Sequence, residues 1–276
     1  LTNQSVFVQL SRLSQTQTSA EGLLRIHLLG PITVWRPDGS PVEGAYWRRL
    51  KVRTLLAYLA IHHDQPLSRE HLAELLWPDL AYEGALRSLN TTVYNLRRCL
   101  EPHLKNGADS RYIIYEGGQY KLNGASRLWL DTEIFETQIH RARFAQDTTQ
   151  AIRYYQEALT LYHGDYLADL CQSNIWSPGE HERLRQLYLV AMDELGELYE
   201  MQQEDGRAKE LYLQALAADP CREVTCQKLM RLALRQGDVS TAVTHCRRLT
   251  QCLRNELNVT PSQETLNLCH HLDCAA

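Results

Sequence analysis

The sequence predicts an α+β winged helix-turn-helix domain followed by an all-α, tetratricopeptide-like helical repeat domain. Three observations carry that prediction. Alternation of apolar and polar residues is confined to the first half of the chain, where it flanks three amphipathic helix patterns. Beyond Trp129 helical spacing takes over and runs toward the end of the chain, with small residues where paired helices would cross. At 276 residues the chain is also long enough for two domains.

The elements follow in order. Residues 1–22 are rich in Gln, Ser and Thr and read as a weakly ordered leader or the edge of a longer protein. The winged-helix domain is expected over 23–125 and the helical domain over 126–276. LLRIHLLGPITVW alternates through Leu24, Ile26 and Leu28, then Ile32, Val34 and Trp35, which predicts a hairpin or small sheet. Trp47–His62 has the apolar spacing of a first helix, and Ser68 opens a second that Trp77-Pro78 stops. A third helix is expected over Tyr82–Leu104, with Leu86, Leu89, Val93, Leu96 and Leu100 on one face. Tyr112–Glu116 and Gln119–Leu122, joined across Gly117-Gly118, predict a second hairpin, the wing. Helices are then expected over Thr132–Phe144, Thr148–Tyr162, Pro178–Gln202, Arg207–Ala217, Arg222–Arg235 and Val239–Glu256. Ala151, Ala158, Ala208, Ala215 and Ala242 mark their crossings, and Trp176, Tyr188, Tyr199 and Tyr212 read as core.

The charge needs dividing before it is interpreted. A net −4 and a pI near 6.3 speak against a nucleic-acid protein if averaged over the chain. Leu23–Ala125, however, carries 13 Lys and Arg against 10 Asp and Glu, or +3, while Ser126–Ala276 carries 15 against 22, or −7. A mildly basic module is joined to an acidic one. The eight cysteines contain no C-x-x-C pair, and the chain has no signal-peptide pattern or long apolar run. Reduced, buried thiols in a cytoplasmic protein are therefore expected, with no metal and no cofactor. Phosphate-loop, nucleophile-elbow and H-E-x-x-H patterns are absent, so the sequence suggests no enzyme.

A helix backed by a core and carrying polar side chains fits the major groove, and a hairpin beside it fits the backbone or minor groove. In the third helix Arg87, Ser88, Thr91, Tyr94, Asn95 and Arg98 are the candidate DNA-facing residues. Arg87 and Arg98 could bind guanine edges or phosphate, Asn95 adenine, and Thr91 a thymine methyl. Arg48 and Lys51 at the first helix, with Arg111 and Lys121 near the wing, are candidate phosphate anchors. Any one of these residues alone is more simply a solvated helix face; their conjunction with the wing favours DNA.

Ordered segments add a family resemblance. They are LRIHLLGPITVW, AYEGALRSLNTTVYNLRRCL and GGQYKLN, then LDTEIFE, YHGDYLADL, ERLRQLYLVAMDELGELY, ALAADPCRE, LALRQGDVSTAVTHCRRL and LRNELNVTPSQET. The chain resembles the bacterial activators that join an OmpR-like winged helix to a bacterial transcriptional activator domain, the antibiotic regulatory protein type. The resemblance implies an activator on double-stranded promoter DNA that acts as a homodimer or as tandem protomers and recruits RNA polymerase. Gln119 ahead of Tyr120 departs from the usual wing. The alternative from another class is a helical-repeat scaffold or signalling adaptor whose winged helix binds protein, which the acidic second half favours.

Overall fold

A computed structural model describes residues 22–106, 110–123, 128–170 and 178–275. The elements of its first part are β1 (Leu24–His27), β2 (Thr33–Trp35), α1 (Leu50–Ile61), β3 (Leu67–Ser68), α2 (Arg69–Leu76), α3 (Tyr82–Leu100), β4 (Ile113–Glu116), β5 (Gln119–Leu122) and β6 (Leu128–Leu130). The rest is helical: α4 (Asp131–Arg143), α5 (Thr148–Leu159), α6 (Pro178–Met201), α7 (Asp205–Ala218), α8 (Glu223–Arg235), α9 (Val239–Cys252), a π-helical turn (Leu253–Leu257) and α10 (Gln263–Ala275). The chain is thus a winged helix with small sheets followed by a helical domain. It divides into two units, one reaching Thr137 and including Thr160–Leu184, the other made of Gln138–Leu159 and the chain from Arg185 onward. The leader, the junction at Ala125 and Ser126, Cys171, Trp176 and the side chains of His271 and Cys274 lie outside the described residues. Among the described residues no helix is long and apolar enough to cross a membrane.

In the first unit the alternation of β1 buries Leu24 and Ile26 completely. β1 lies between antiparallel β2 and parallel β6. β6 was not expected: with three residues it is too short for alternation to show. Past β1, the Leu28 and Leu29 amides turn to a side chain. Asp131, fully buried at the start of α4, accepts Leu28 N–H through both carboxylate oxygens (2.8 and 2.9 Å) and Leu29 N–H at 2.9 Å. The YHGDYLADL segment docks on the same corner. His163 N donates to Leu29 O at 3.0 Å, Leu167 N donates to Leu28 O at 2.8 Å, and Asp169 accepts Ile32 N–H at 3.0 Å and pairs with Arg53. Gly30 sits in the left-handed region (φ 134°), and a Cβ there would come within 3.3 Å of the His163 Cβ.

Asp131 and His27 Nδ1 are 3.8 Å apart, and burial acts on them in opposite senses. It pushes the Asp131 carboxyl up to about 6, against the pull of the Leu29 and Leu28 amides, and it pushes His27 down to about 4, with His163 and Arg25 adding to that. Between pH 4 and 6 the folded Asp131 holds a proton that the unfolded chain releases, so its contribution to stability falls as pH rises. The folded His27 lacks a proton that the unfolded chain keeps up to about 6.5, so its contribution rises with pH. Relative to wild type, His27→Gln is therefore expected to be more stable at pH 4 and to lose that advantage by pH 6.5, a change of about 3 kcal/mol. Denaturant midpoints of both proteins across that range check it; a constant difference contradicts it.

The helices start and stop for local reasons. Ser68 caps α2 by accepting His71 N–H at 3.1 Å. α3 ends at Leu100 rather than Leu104, because Glu101 precedes Pro102 and adopts non-helical angles (φ −131°, ψ 78°). At that end Arg36 donates to the Cys99 carbonyl from Nε (3.1 Å) and Nη2 (2.7 Å), satisfying an acceptor that the last turn leaves open.

In the second unit the expected crossing alanines Ala151, Ala158, Ala208, Ala215 and Ala242 are all buried, as are Tyr199 and Tyr212, while Tyr188 is half-buried. Arg222 donates to Asp193 from Nε (3.0 Å) and Nη2 (2.9 Å), and Thr225 Oγ1 donates to the other oxygen of that buried carboxylate at 2.7 Å. Tyr212 is fully buried against Gly196, where a Cβ would lie 2.7 Å from the Tyr212 Cζ. Gly196→Ala must displace the hydroxyl end of a ring that is itself held there by the Tyr212 hydroxyl donating to Glu200 (2.5 Å). It is expected to lower stability by about 1–3 kcal/mol despite the better helix propensity of alanine. Thermal unfolding measures this, and an unchanged or raised midpoint contradicts it.

Three features of this unit correct expectations. The helix expected to Glu256 is α-helical only to Cys252, continues as the π turn and stops at Asn258, which adopts left-handed angles (φ 53°). α10 was not foreseen; Glu223 Oε2 anchors its start by accepting Ser262 N–H at 2.8 Å and the Thr265 hydroxyl at 2.6 Å. The thiols were expected to be reduced, but a disulfide joins Cys246 of α9 to Cys269 of α10 across 23 residues. Without α10 in view, nothing placed a partner beside Cys246.

Candidate nucleic-acid interface

α3 is amphipathic over its whole length. Ala85, Leu86, Leu89, Val93, Leu96 and Leu100 are buried, so the helix is held from behind against α1 and α2. Opposite them Arg87, Asn90, Thr91, Tyr94 and Arg98 are exposed. At 100° per residue these positions form a stripe along one face. Tyr82 and Tyr94 stand out at 61% and 53% exposure, far more than aromatic side chains usually show.

The structure sorts the expected site residues. Arg87, Thr91, Tyr94 and Arg98 share the exposed stripe, and Ser88 lies at its half-buried edge. Asn95 does not join them. It is only 4% exposed, because its position lies a further 100° round the helix from Tyr94, on the flank that turns into the unit. The asparagine on the open face is Asn90, one helical turn ahead of Tyr94, and stepping by three and four from Arg87 would have found it. Thr91 has its hydroxyl donating to Arg87 O at 3.1 Å, which leaves its methyl group outward. Arg98 donates to Leu104 O at 3.0 Å while remaining exposed.

The anchors divide in the same way. Arg48 and Arg111 are exposed and Lys121 is half-buried on β5. Lys51 was expected to meet phosphate; instead its ammonium donates to Leu76 O at 2.6 Å and lies 5.9 Å from the Trp77 ring centre. It caps the C-terminus of α2, where a cation completes carbonyls that the helix leaves open. A structural cation that sequence reasoning missed is Arg97. From Nε (3.2 Å) and Nη2 (2.7 Å) it donates to Ile113 O and so ties α3 to the first wing strand. Burial lowers the Arg97 guanidinium within the arginine range, and it stays charged.

The wing is a three-stranded sheet in the order β3-β5-β4. Gly117 and Gly118, with φ of 57° and 81°, make the two-residue turn in which both central residues need positive φ. Tyr115 faces Tyr120 across the strands with ring centres 4.6 Å apart, and burial pushes the Tyr120 phenol up. Away from this region, Cys221, Cys252 and Glu256 are a group of described residues whose potential ligand atoms fall within 4.8 Å of one another.

Comparison with known proteins agrees with this architecture. The bacterial transcriptional activator domain matches residues 130–272, and the C-terminal domain of transcriptional regulatory proteins matches 49–119. The regulatory protein AfsR of Streptomyces coelicolor is 27% identical over 248 residues, 87% of this chain but 23% of its own length. The transcriptional regulator RedD of the same organism is 28% identical over 255 residues, 87% of this chain and 67% of its own. A solved structure of Mycobacterium tuberculosis EmbR in complex with a low-affinity phosphopeptide superposes with a TM-score of 0.73 at 22% identity, covering 91% of this chain and 65% of that one. The chain spans under a quarter of AfsR.

Proposed function

The chain belongs to the bacterial transcriptional activator domain family, here joined to a regulator-type winged helix, and from that premise we propose that it is a sequence-specific, DNA-binding transcriptional activator. α3 enters the major groove with Arg87, Asn90, Thr91, Tyr94 and Arg98 toward the base edges, and the β4–β5 wing follows the backbone or minor groove. Arg48, Arg111 and Lys121 neutralise phosphates and set the register. The helical domain supports association of protomers on DNA and contact with RNA polymerase. The observation that carries this reading is the continuous polar stripe on a helix whose other face is fixed in a core.

Few cations serve this face, so binding should depend on salt to a limited degree. With the three phosphate anchors named above, log Kobs is expected to fall with log salt at a slope of about −3 per protomer. Fluorescence anisotropy on a promoter duplex between 50 and 300 mM salt reads the slope; a slope near zero contradicts phosphate binding. The second reading, a winged helix that docks on protein, is favoured by the exposed Leu80, Tyr82, Tyr94 and Tyr115. Retention of protein partners with no duplex bound at low salt would select it.

A further inference from the structure

The second unit brings together two sulfurs that lie 31 residues apart in the sequence. Cys221 sits two residues before α8, and Cys252 is the last residue of α9; their Sγ atoms are 2.6 Å apart. Non-bonded heavy atoms settle at roughly 3.5–4 Å. Two thiolates on one tetrahedral zinc, with bonds of about 2.3 Å, are held about 3.8 Å from each other. The observed separation is well inside both, and about 0.6 Å beyond a covalent S–S bond. Both cysteines are half-buried, so a small reagent can reach them. Cys226 is a useful contrast: it is buried, and its sulfur lies 3.6 Å from the His245 carbonyl.

We propose that Cys221 and Cys252 are a second disulfide site, closed by exchange with a small-molecule disulfide. The Cys252 thiolate attacks one sulfur of the small disulfide, a mixed disulfide forms and the first small thiolate leaves. With the Cys252 thiol consumed, the Cys221 thiolate then attacks Cys252 Sγ and expels the second. The two protein protons end on the two small thiols, the protein pair is oxidised by two electrons and the reagent is reduced by two. Burial, reinforced by Cys252 and Glu256, pushes the Cys221 thiol up to about 12. The reduced form therefore draws no stabilisation from a Cys221 thiolate, the reverse of strongly oxidising pairs, whose reduced form is stabilised. The new bond closes a loop around α8 and α9, while Cys246–Cys269 fastens α9 to α10. With both in place the three helices form a doubly cross-linked module.

The test uses the full chain, both as wild type and with Cys246→Ser and Cys269→Ser so that the known bond is removed. Each is incubated natively with oxidised glutathione, alkylated with N-ethylmaleimide under denaturing conditions, digested and analysed by mass spectrometry. The expected result is a peptide pair linked through Cys221 and Cys252 in both proteins, lost on reduction, with Cys226 alkylated. In the double-serine chain oxidation should raise the unfolding midpoint on the order of 5–10 °C, and Cys252→Ser should abolish the rise. Full alkylation of Cys221 and Cys252 in a wild type that retains Cys246–Cys269 overturns the proposal. So does a glutathione adduct that never resolves, or protection of both thiols that a zinc chelator removes.

Discussion

Asp131→Ala is expected to destabilise the first unit by about 2–5 kcal/mol, since two buried backbone donors lose their acceptor and each such loss costs about 1–3 kcal/mol. The Leu28 and Leu29 amides both point at this carboxylate, and neither faces solvent. Removing a carboxyl that burial has already pushed up to about 6 returns part of its desolvation cost, which keeps the loss at the lower end of what two orphaned donors would imply. Asp131→Asn retains one acceptor oxygen and should lose about half as much. Denaturant unfolding followed by tryptophan fluorescence, with Trp129 on the adjoining strand, reports the change. A midpoint indistinguishable from wild type would mean that the corner of β1, α4 and the YHGDYLADL segment is held by other bonds.

Arg87→Ala is expected to weaken binding to the chain's own DNA site about 10- to 100-fold, the range of one bidentate base contact of about 1–3 kcal/mol. Its guanidinium is exposed and no described residue bonds it, so the folded state has nothing to lose there. Stability should stay within about 0.5 kcal/mol of wild type. That separation distinguishes Arg87 from its neighbour Arg97, whose guanidinium joins α3 to the wing and whose removal acts on folding first. Titration of a specific and a scrambled duplex checks it: the ratio of the two affinities should collapse in the variant. An equal loss on both duplexes would reduce Arg87 to a phosphate contact.

What was legible in the sequence follows from the range of the forces involved. α1, α2, α3 and the wing declared themselves because spacing, Ser68 and the Gly117-Gly118 turn are local signals, and the helix–helix crossings because only small residues fit them. β6 was hidden because a three-residue strand is defined by its neighbour β1, 104 residues away, rather than by its own pattern. On α3 the periodicity identified the face but not its edges. Asn95 lies at the margin of the stripe, and whether a margin residue is buried depends on what packs there. Lys51 shows the same limit: a lysine at the start of a helix reads as a surface cation until the end of α2 is brought beside it. The cysteines failed for that reason too, since pairing Cys246 with Cys269 and bringing Cys221 to Cys252 requires the packing of α8, α9 and α10, which no spacing encodes.

The division of charge also bears on mechanism. The +3 of Leu23–Ala125 is small for a DNA reader, and Lys51 and Arg97 are committed to the fold. Under the proposed function a single protomer would have few cations left for phosphate, and association of protomers would be needed to hold a promoter at physiological salt. Selection of bound duplexes from a random pool, run in parallel with wild type and Arg87→Ala, measures whether α3 reads sequence. The expected result is a shared sequence, repeated within each recovered wild-type duplex, that loses discrimination at one position of each repeat in the variant. A wild-type pool with no common sequence, or one unchanged by Arg87→Ala, would contradict readout by α3.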